Sequence, residues 1–369
     1  MRIVTAGSKH DIIADSPGTE KQMQSHPRSP ALRAPMTPTV VFDSYWRFAA
    51  ERLAMFYRRY SDPIGPWTSD PILRTYRFTN AYRVSDRVSQ YLIREVQTRS
   101  DRPQTVREVF FRTMFFKIFN RIDTWEALEE KLGPLEWDQI DLATVDETLE
   151  GLRSRGGAIY SAAYIMPAPA MGHKRKHSNH LALLRQMMDD RLPERVRQAP
   201  SMRSVYELIL RYPGIGPFLA FQYTIDLNYS SIMDFDESEF VIAGPGAVDG
   251  ISKCFADTAG RSAEDIIYWM VDYQGTEFKR LGLDFPGLLG RRLQPIDCQN
   301  LFCEISKYAR VAHPEVGGVA NRTRIKQSYR PSGRPAPQPQ FPERWGLSTD
   351  TLTLSCGDAR ARSLLPLLL

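Results

Sequence analysis

The sequence is poor in cysteine: Cys254, Cys298, Cys303 and Cys356 are all it has in 369 residues, and none forms a Cys-x-x-Cys pair. A zinc or iron–sulfur site is therefore not expected, and no metal or organic cofactor is implied. Met1-Arg2-Ile3-Val4 is too little for a secretory leader. No apolar run reaches the roughly 20 residues that a bilayer requires. The expectation is a soluble, intracellular chain in a reducing compartment, with no membrane partner and with nuclear or cytoplasmic placement open. No glycine-rich loop ends in Gly-Lys-Ser/Thr, which excludes a Walker A site within these residues. Charge of one sign is not in large excess: 48 Lys and Arg face 43 Asp and Glu, a formal net charge of +5. That balance permits a nucleic-acid partner without requiring one. There is no internal repeat and no convincing strand alternation, so the fold class read from the sequence is all-α.

What is present is a core-forming composition, 42% hydrophobic, enough for one large or two moderate domains. Residues 1–38 are rich in Ser, Pro, Gly, Thr and charge and read as a disordered tail. From 331 onward, Pro331, Pro335, Pro337, Pro339 and Pro342 mark a second, Pro-rich tail. Between them, residues 39–330 read as a helical domain. Phe42, Tyr45, Trp46, Ala49, Leu53 and Phe56 form a stripe at helical spacing, and the Phe-rich stretch from Val106 to Ile122 reads as a buried helix.

The chain is organised around the stretch from Ser204 to Asp236. Val205, Leu208, Ile209 and Tyr212 share one helical face. Pro213-Gly214-Ile215-Gly216 breaks that helix, and Pro217 suits the first position of the next, because its missing N–H is not needed there. The pattern is helix, tight hairpin, helix. The amides of Gly214, Ile215 and Gly216 and of the second helix's first turn could meet an anion such as a DNA phosphate. An ordinary turn between packed helices is the competing reading.

Other segments carry candidate chemistry. Arg74, Arg77, Arg83 and Arg87 alternate with Tyr76, Tyr82 and Tyr91; they read as a track for a nucleic-acid backbone or, equally, as a solvated helix face. His173, His177 and His180 sit in a run with Lys174, Arg175 and Lys176, which reads as a mobile basic loop ahead of a metal site. Gly244-Pro245-Gly246 before a helix carrying Lys253 is a second possible phosphate cradle, or a turn between packed helices. Asp297, Asn300, Glu304 and Lys307 follow at spacings of three, four and three, so one helical face holds two acids, an amide and a cation.

The hairpin resembles the helix-hairpin-helix motif of DNA glycosylases, in which a catalytic aspartate stands twenty residues after the second glycine. Counting twenty from Gly216 gives Asp236, although Phe235-Asp236-Glu237-Ser238 departs from that superfamily's usual Val-Asp-Thr-His. Three longer blocks resemble a closer family, the helical domain of 5-hydroxymethyluracil DNA kinases, of the α-glutamyl/putrescinyl-thymine pyrophosphorylase type. They are Tyr76-Arg77-Phe78-Thr79-Asn80-x-Tyr82-Arg83 with Asp86-Arg87-Val88-Ser89-Gln90, the Gly214–Gly216 hairpin with Gly244-Pro245-Gly246-Ala247, and Asp297-Cys298-Gln299-Asn300-x-x-Cys303-Glu304-x-x-Lys307-Tyr308. The resemblance implies a glycosylase-like all-α domain, DNA as partner, and displacement chemistry on a phosphorylated hydroxymethyl uracil. A P-loop kinase domain accompanies this domain in the phage kinases, so a separate kinase is an implied partner. Asp236, Glu304, Asp297 and Lys307 are the catalytic candidates. Arg77, Arg83, Arg87, Gly214, Ile215, Gly216, Gly244, Gly246 and Lys253 are the DNA- or phosphate-binding candidates. A DNA glycosylase and a non-catalytic DNA-binding module are the alternative functions.

Overall fold

Apolar periodicity and capping residues decide where helices form. The computed structural model describes residues 35–62, 64–162, 166–330, 336–349 and 352, so most of both expected tails lies outside the described residues. The described part is all-α. The first helices are α1 (Val40–Ser61), α2 (Pro71–Thr75), α3 (Arg87–Tyr91), α4 (Val106–Phe119) and α5 (Ile122–Leu132). They are followed by α6 (Leu142–Ser154), α7 (Lys176–Asp189), α8 (Leu192–Arg197) and α9 (Met202–Leu210). The series ends with α10 (Pro217–Asn228), α11 (Pro245–Cys254), α12 (Ala263–Arg280) and α13 (Pro295–Ala312).

Two helices are buried on nearly every side. In α4, Thr105 caps the N-terminus by accepting the Glu108 N–H, and Asn120 ends the helix in the left-handed region at φ 50°. Phe110, Phe111, Phe115, Phe116 and Phe119 of α4 are all buried. α10 begins on Pro217, and every residue from Leu219 to Asn228 is buried. α7, α8 and α10 pack on α4, and α9 packs on α10. A second group, α1, α11 and α12, packs around α13.

Its closest approach is α11 against α13. Gly250 makes it possible, because a Cβ there would overlap the Phe302 backbone carbonyl. The described residues also include a two-stranded antiparallel piece that pattern reading could not find. β1 (Thr37–Pro38) pairs with β2 (Phe255–Asp257), Thr37 opposite Asp257. Strands this short show no alternation, so tertiary contact alone forms them.

The Pro-rich stretch after 330 is not wholly free of the domain. Residues 336–349 lie against it, with Phe341 and Pro342 buried and Trp345 half-buried. Prolines lower the cost of ordering an extended segment while removing N–H donors, so such a segment docks through side chains.

Candidate functional site

The face that carries Asp297, Asn300, Glu304 and Lys307 does line up along α13, and it grips a loop rather than opening to solvent. Asp297 accepts the Gln294 N–H as part of a capping box at 3.0 Å, and its other oxygen accepts the Arg83 N–H at 2.9 Å. Asn300 donates to Thr79 Oγ1 at 3.0 Å. Glu304 accepts the Thr79 N–H at 3.0 Å and pairs with Lys307 at 2.6 Å. From α1, Arg52 donates to the Thr79 carbonyl at 2.8 Å and to Asn80 Oδ1 at 3.0 Å. Asp86 accepts the Asn80 N–H at 2.7 Å, and burial pushes its carboxyl up to about 7. The Thr79–Asp86 loop is thus fixed from three sides.

That loop delivers Arg83 into the interior. Its guanidinium pairs with Asp226 at 2.8 Å, donates to Gln222 at 3.0 Å and lies against the Tyr229 ring. Lys117 of α4 approaches the other Asp226 oxygen at 3.2 Å. Burial pushes the Asp226 carboxyl up, and the Arg83 and Lys117 cations together overcome it and hold the group below the usual carboxylate range. Burial also lowers the Lys117 ammonium. The expectation that Arg83 meets DNA phosphate is corrected here: the side chain is 4% exposed and spent on Asp226.

The acid on the sequence's catalytic count is beside the buried one. Asp236 is exposed and accepts the Ser238 N–H at 2.8 Å, closing a turn. Its neighbour Glu237 is 2% exposed and pairs through Oε2 with Arg291 at 2.8 Å. Burial raises the Glu237 carboxyl above its ordinary range. Burial pushes Asp297 up to about 7, with the Glu237 charge adding to the rise. The Glu237–Arg291 pair and Asp297, which holds the Arg83 N–H, thus stand near one another where the loop after α10 approaches the start of α13, close enough for the Glu237 charge to raise Asp297. Two acids whose carboxyls are raised by burial are candidates to exchange protons with a substrate.

A short turn joins α9 to α10. Gly214 takes φ +78°, and a Cβ there would press on Pro169 at 3.1 Å. Ile215 is buried and anchors the turn. Gly216 has φ −84°, and a Cβ on it would meet nothing within 4 Å, so its outer side is open. Pro169 brings the histidine and lysine run beside the hairpin. The run is a short loop that enters α7 at Lys176, and buried Asn179 of α7 holds it by accepting the Met171 and His173 N–H groups and donating to the His173 and Arg175 carbonyls. His173, Lys174, Arg175 and Lys176 are exposed on it. His180 is buried between the Tyr160 hydroxyl at 2.7 Å and the Pro167 carbonyl at 2.9 Å. Burial lowers it to about 4, so it stays neutral at neutral pH.

Three other candidates serve packing. A Cβ on Gly244 would overlap the Phe218 ring, and one on Gly246 would lie 3.0 Å from Cys303 Sγ, so both glycines admit neighbours instead of cradling phosphate. Lys253 is 3% exposed and donates to the Ser306 carbonyl at 3.1 Å. Arg77 and Arg87 remain exposed, near enough for the Arg77 charge, after burial, to lower the Arg87 guanidinium. An open hollow of about 310 Å³ lined by Arg195, Gln198, Ser204, Glu207 and Arg211 lies along α8 and α9, and it includes none of the buried acids. Asp226, Lys117, Glu237 and Arg291 were missed by sequence reading. A buried acid inside the apolar run of α10 was the one available signal, since Asp226 stands among Phe221, Tyr223, Ile225 and Leu227.

Comparison with known proteins agrees with the block pattern. The family model for the 5-hmdU DNA kinase helical domain matches residues 39–318. The 5-hmdU DNA kinase of Bacillus phage SP10 is 27% identical over 294 residues, covering 75% of this chain and 46% of the phage protein. The chain therefore spans less than half the length of that curated relative. No solved structure matches at a significant level. The matched stretch contains the α13 face, the loop that it grips, the hairpin and the buried acids, and this chain belongs to the 5-hmdU DNA kinase helical-domain family.

Proposed function

We propose that this chain is a DNA-binding enzyme of thymine hypermodification that acts on a phosphorylated hydroxymethyl uracil base in DNA. The observation that carries the reading is the family match over residues 39–318. The buried acids Glu237 and Asp297, inside that stretch, add support. DNA is held by the open hairpin at Gly216, with the exposed Lys174, Arg175 and Lys176 beside it contributing salt-sensitive affinity. The target base leaves the stack to reach the acids. A nucleophile then attacks the 5-methylene carbon. The carbon–oxygen bond to phosphate breaks, the phosphate departs with the electron pair, and a carboxylate takes the proton that the nucleophile loses. A separate kinase acting on 5-hydroxymethyluracil supplies the phosphorylated base.

The acid at each step is open to division. Asp236 is solvent-accessible and Glu237 stands behind it, so Asp236→Asn and Glu237→Gln separate a surface acid from a buried one. Asp297 and Glu304 position the Thr79–Asp86 loop, and Lys307 holds Glu304. The test is nucleoside mass spectrometry of phosphorylated hydroxymethyluracil DNA incubated with the protein and a candidate amine. A new modified nucleoside is the expected result. Release of a free base would point instead to a glycosylase, the reading favoured by the Asp236 count from Gly216. Unchanged DNA would leave a binding module and overturn the enzymatic reading.

A further inference from the structure

Residues 336–349 lie beyond the matched family stretch, yet they touch Arg291 and the loop that leads to Glu237. Gln340 and Gln90 exchange two hydrogen bonds, backbone N–H to Gln90 Oε1 at 2.8 Å and Gln90 Nε2 to the Gln340 carbonyl at 3.0 Å. Arg344 donates to the backbone carbonyls of Asn228, Ser230 and Met233 and pairs with Asp234 at 3.0 Å. The Trp345 ring lies on the Arg291 guanidinium at 4.0 Å, and it meets the Tyr229 ring edge-on at 6.0 Å. Arg291 is the residue that holds Glu237 Oε2. The other Glu237 oxygen, Oε1, is buried and has no hydrogen-bond partner. A buried carboxyl oxygen without a partner is costly and uncommon.

We propose that residues 336–349 are an autoinhibitory strap over the Glu237 site, and that Trp345 on Arg291 holds the place of an unpaired nucleobase, which DNA displaces. A guanidinium plane accepts any flat ring, and aromatic side chains and bases compete for it on similar terms. A uracil-type base brings a flat face for Arg291 and also a ring N–H beside a carbonyl, so it can pair with Glu237 Oε1 in either protonation state. Trp345 supplies the face and leaves that oxygen unpartnered, so the strap is a partial mimic that a base can outdo. Its hold is distributed over backbone carbonyls, one glutamine pair and a short apolar contact of Pro339, Phe341, Pro342, Trp345 and Leu347. Such a segment opens without unfolding the helices. The inference rests on the reading of the chain as DNA-binding and adds to it which residues the base meets and what covers them.

The test uses the full chain, Trp345→Ala and Gln340→Ala, with a fluorescein-labelled single-stranded oligothymidylate followed by anisotropy, beside thermal melts. Affinity falls by the fraction of molecules that are open. A strap closed nine times in ten would thus make Trp345→Ala bind roughly tenfold more tightly. Gln340→Ala, which removes the bond from Gln340 Nε2 to Thr98 Oγ1 at 2.9 Å and so loosens the strap away from Trp345, should tighten binding in the same direction by a smaller factor. Melting temperatures should move little. Unchanged or weaker binding in both variants overturns the strap while leaving DNA binding in place. A fall in melting temperature together with weaker binding identifies the segment as structural and also overturns it. If none of the three proteins binds the oligonucleotide, the DNA-binding reading fails and the strap has no displacer.

Discussion

Replacing Asp226 with asparagine tests whether the centre of the domain is held by charge. Asp226 is fully buried between Arg83 at 2.8 Å and Lys117 at 3.2 Å, cations that are 4% and 3% exposed. Asparagine keeps the volume and one acceptor oxygen and removes the negative charge, leaving two buried cations facing each other. Removing one partner of a buried ion pair costs about 3–5 kcal/mol. The retained oxygen and the hydrogen bonds of Arg83 to Gln222 and of Lys117 to Asn120 argue for the lower end, about 3 kcal/mol. In a domain of this size each kcal/mol moves Tm by about 2–4 °C, so the melt should drop by roughly 6–12 °C. Urea unfolding followed by circular dichroism gives the free energy directly. Adding Lys117→Met should restore part of the loss, since it removes one stranded charge. A single Asp226→Asn variant within about 1 kcal/mol of the parent would refute the idea that these charges compensate one another.

Gly216→Val should weaken DNA binding several-fold with a melting temperature within a few degrees, because the new side chain points into open space at an ordinary φ; anisotropy at two salt concentrations checks it. Gly250→Ala should cost about 1–3 kcal/mol or more, since its methyl would displace the Phe302 carbonyl and part α11 from α13; chemical denaturation reads this. Stability should also fall with rising pH. Burial lifts Asp297 from 3.8 to about 7, so the folded state favours its protonated form; that advantage is complete below the ordinary carboxylate value and is lost as pH rises through about 7. Unfolding free energies at several pH values between 4 and 8 should show the decline, and Asp297→Asn should make it shallower, with Asp86 and Glu237 carrying the rest.

Much of this was legible in the sequence because it is local. The Pro213–Gly216 break and the Pro217 start are written in the turn residues, and the spacing of Asp297, Asn300, Glu304 and Lys307 fixes a shared face without structure. What that face touches was not legible, since Thr79 and Arg83 arrive from more than 200 residues away. Asp236 and Glu237 are adjacent in a loop, and no periodicity says which of two neighbours turns inward. The Arg83–Asp226–Lys117 group joins three separate elements, so each member reads alone as a surface charge or an oddity. Proline content hid Phe341 and Trp345, whose anchoring is tertiary.

The grip of α13 on the Thr79–Asp86 loop bears on how the protein is made. The bonds from Asp297, Asn300 and Glu304 to that loop span 214 to 225 residues of chain. During synthesis the loop and the Phe-rich α4 leave the ribosome long before the helix that fixes the loop exists. Contacts of such long separation form late and slowly. The five buried-to-be phenylalanines of α4 also wait for α7, α8 and α10 to emerge, a state prone to aggregate. Ribosome-associated chaperones should contact this protein from the emergence of α4 until α10 has cleared the exit tunnel.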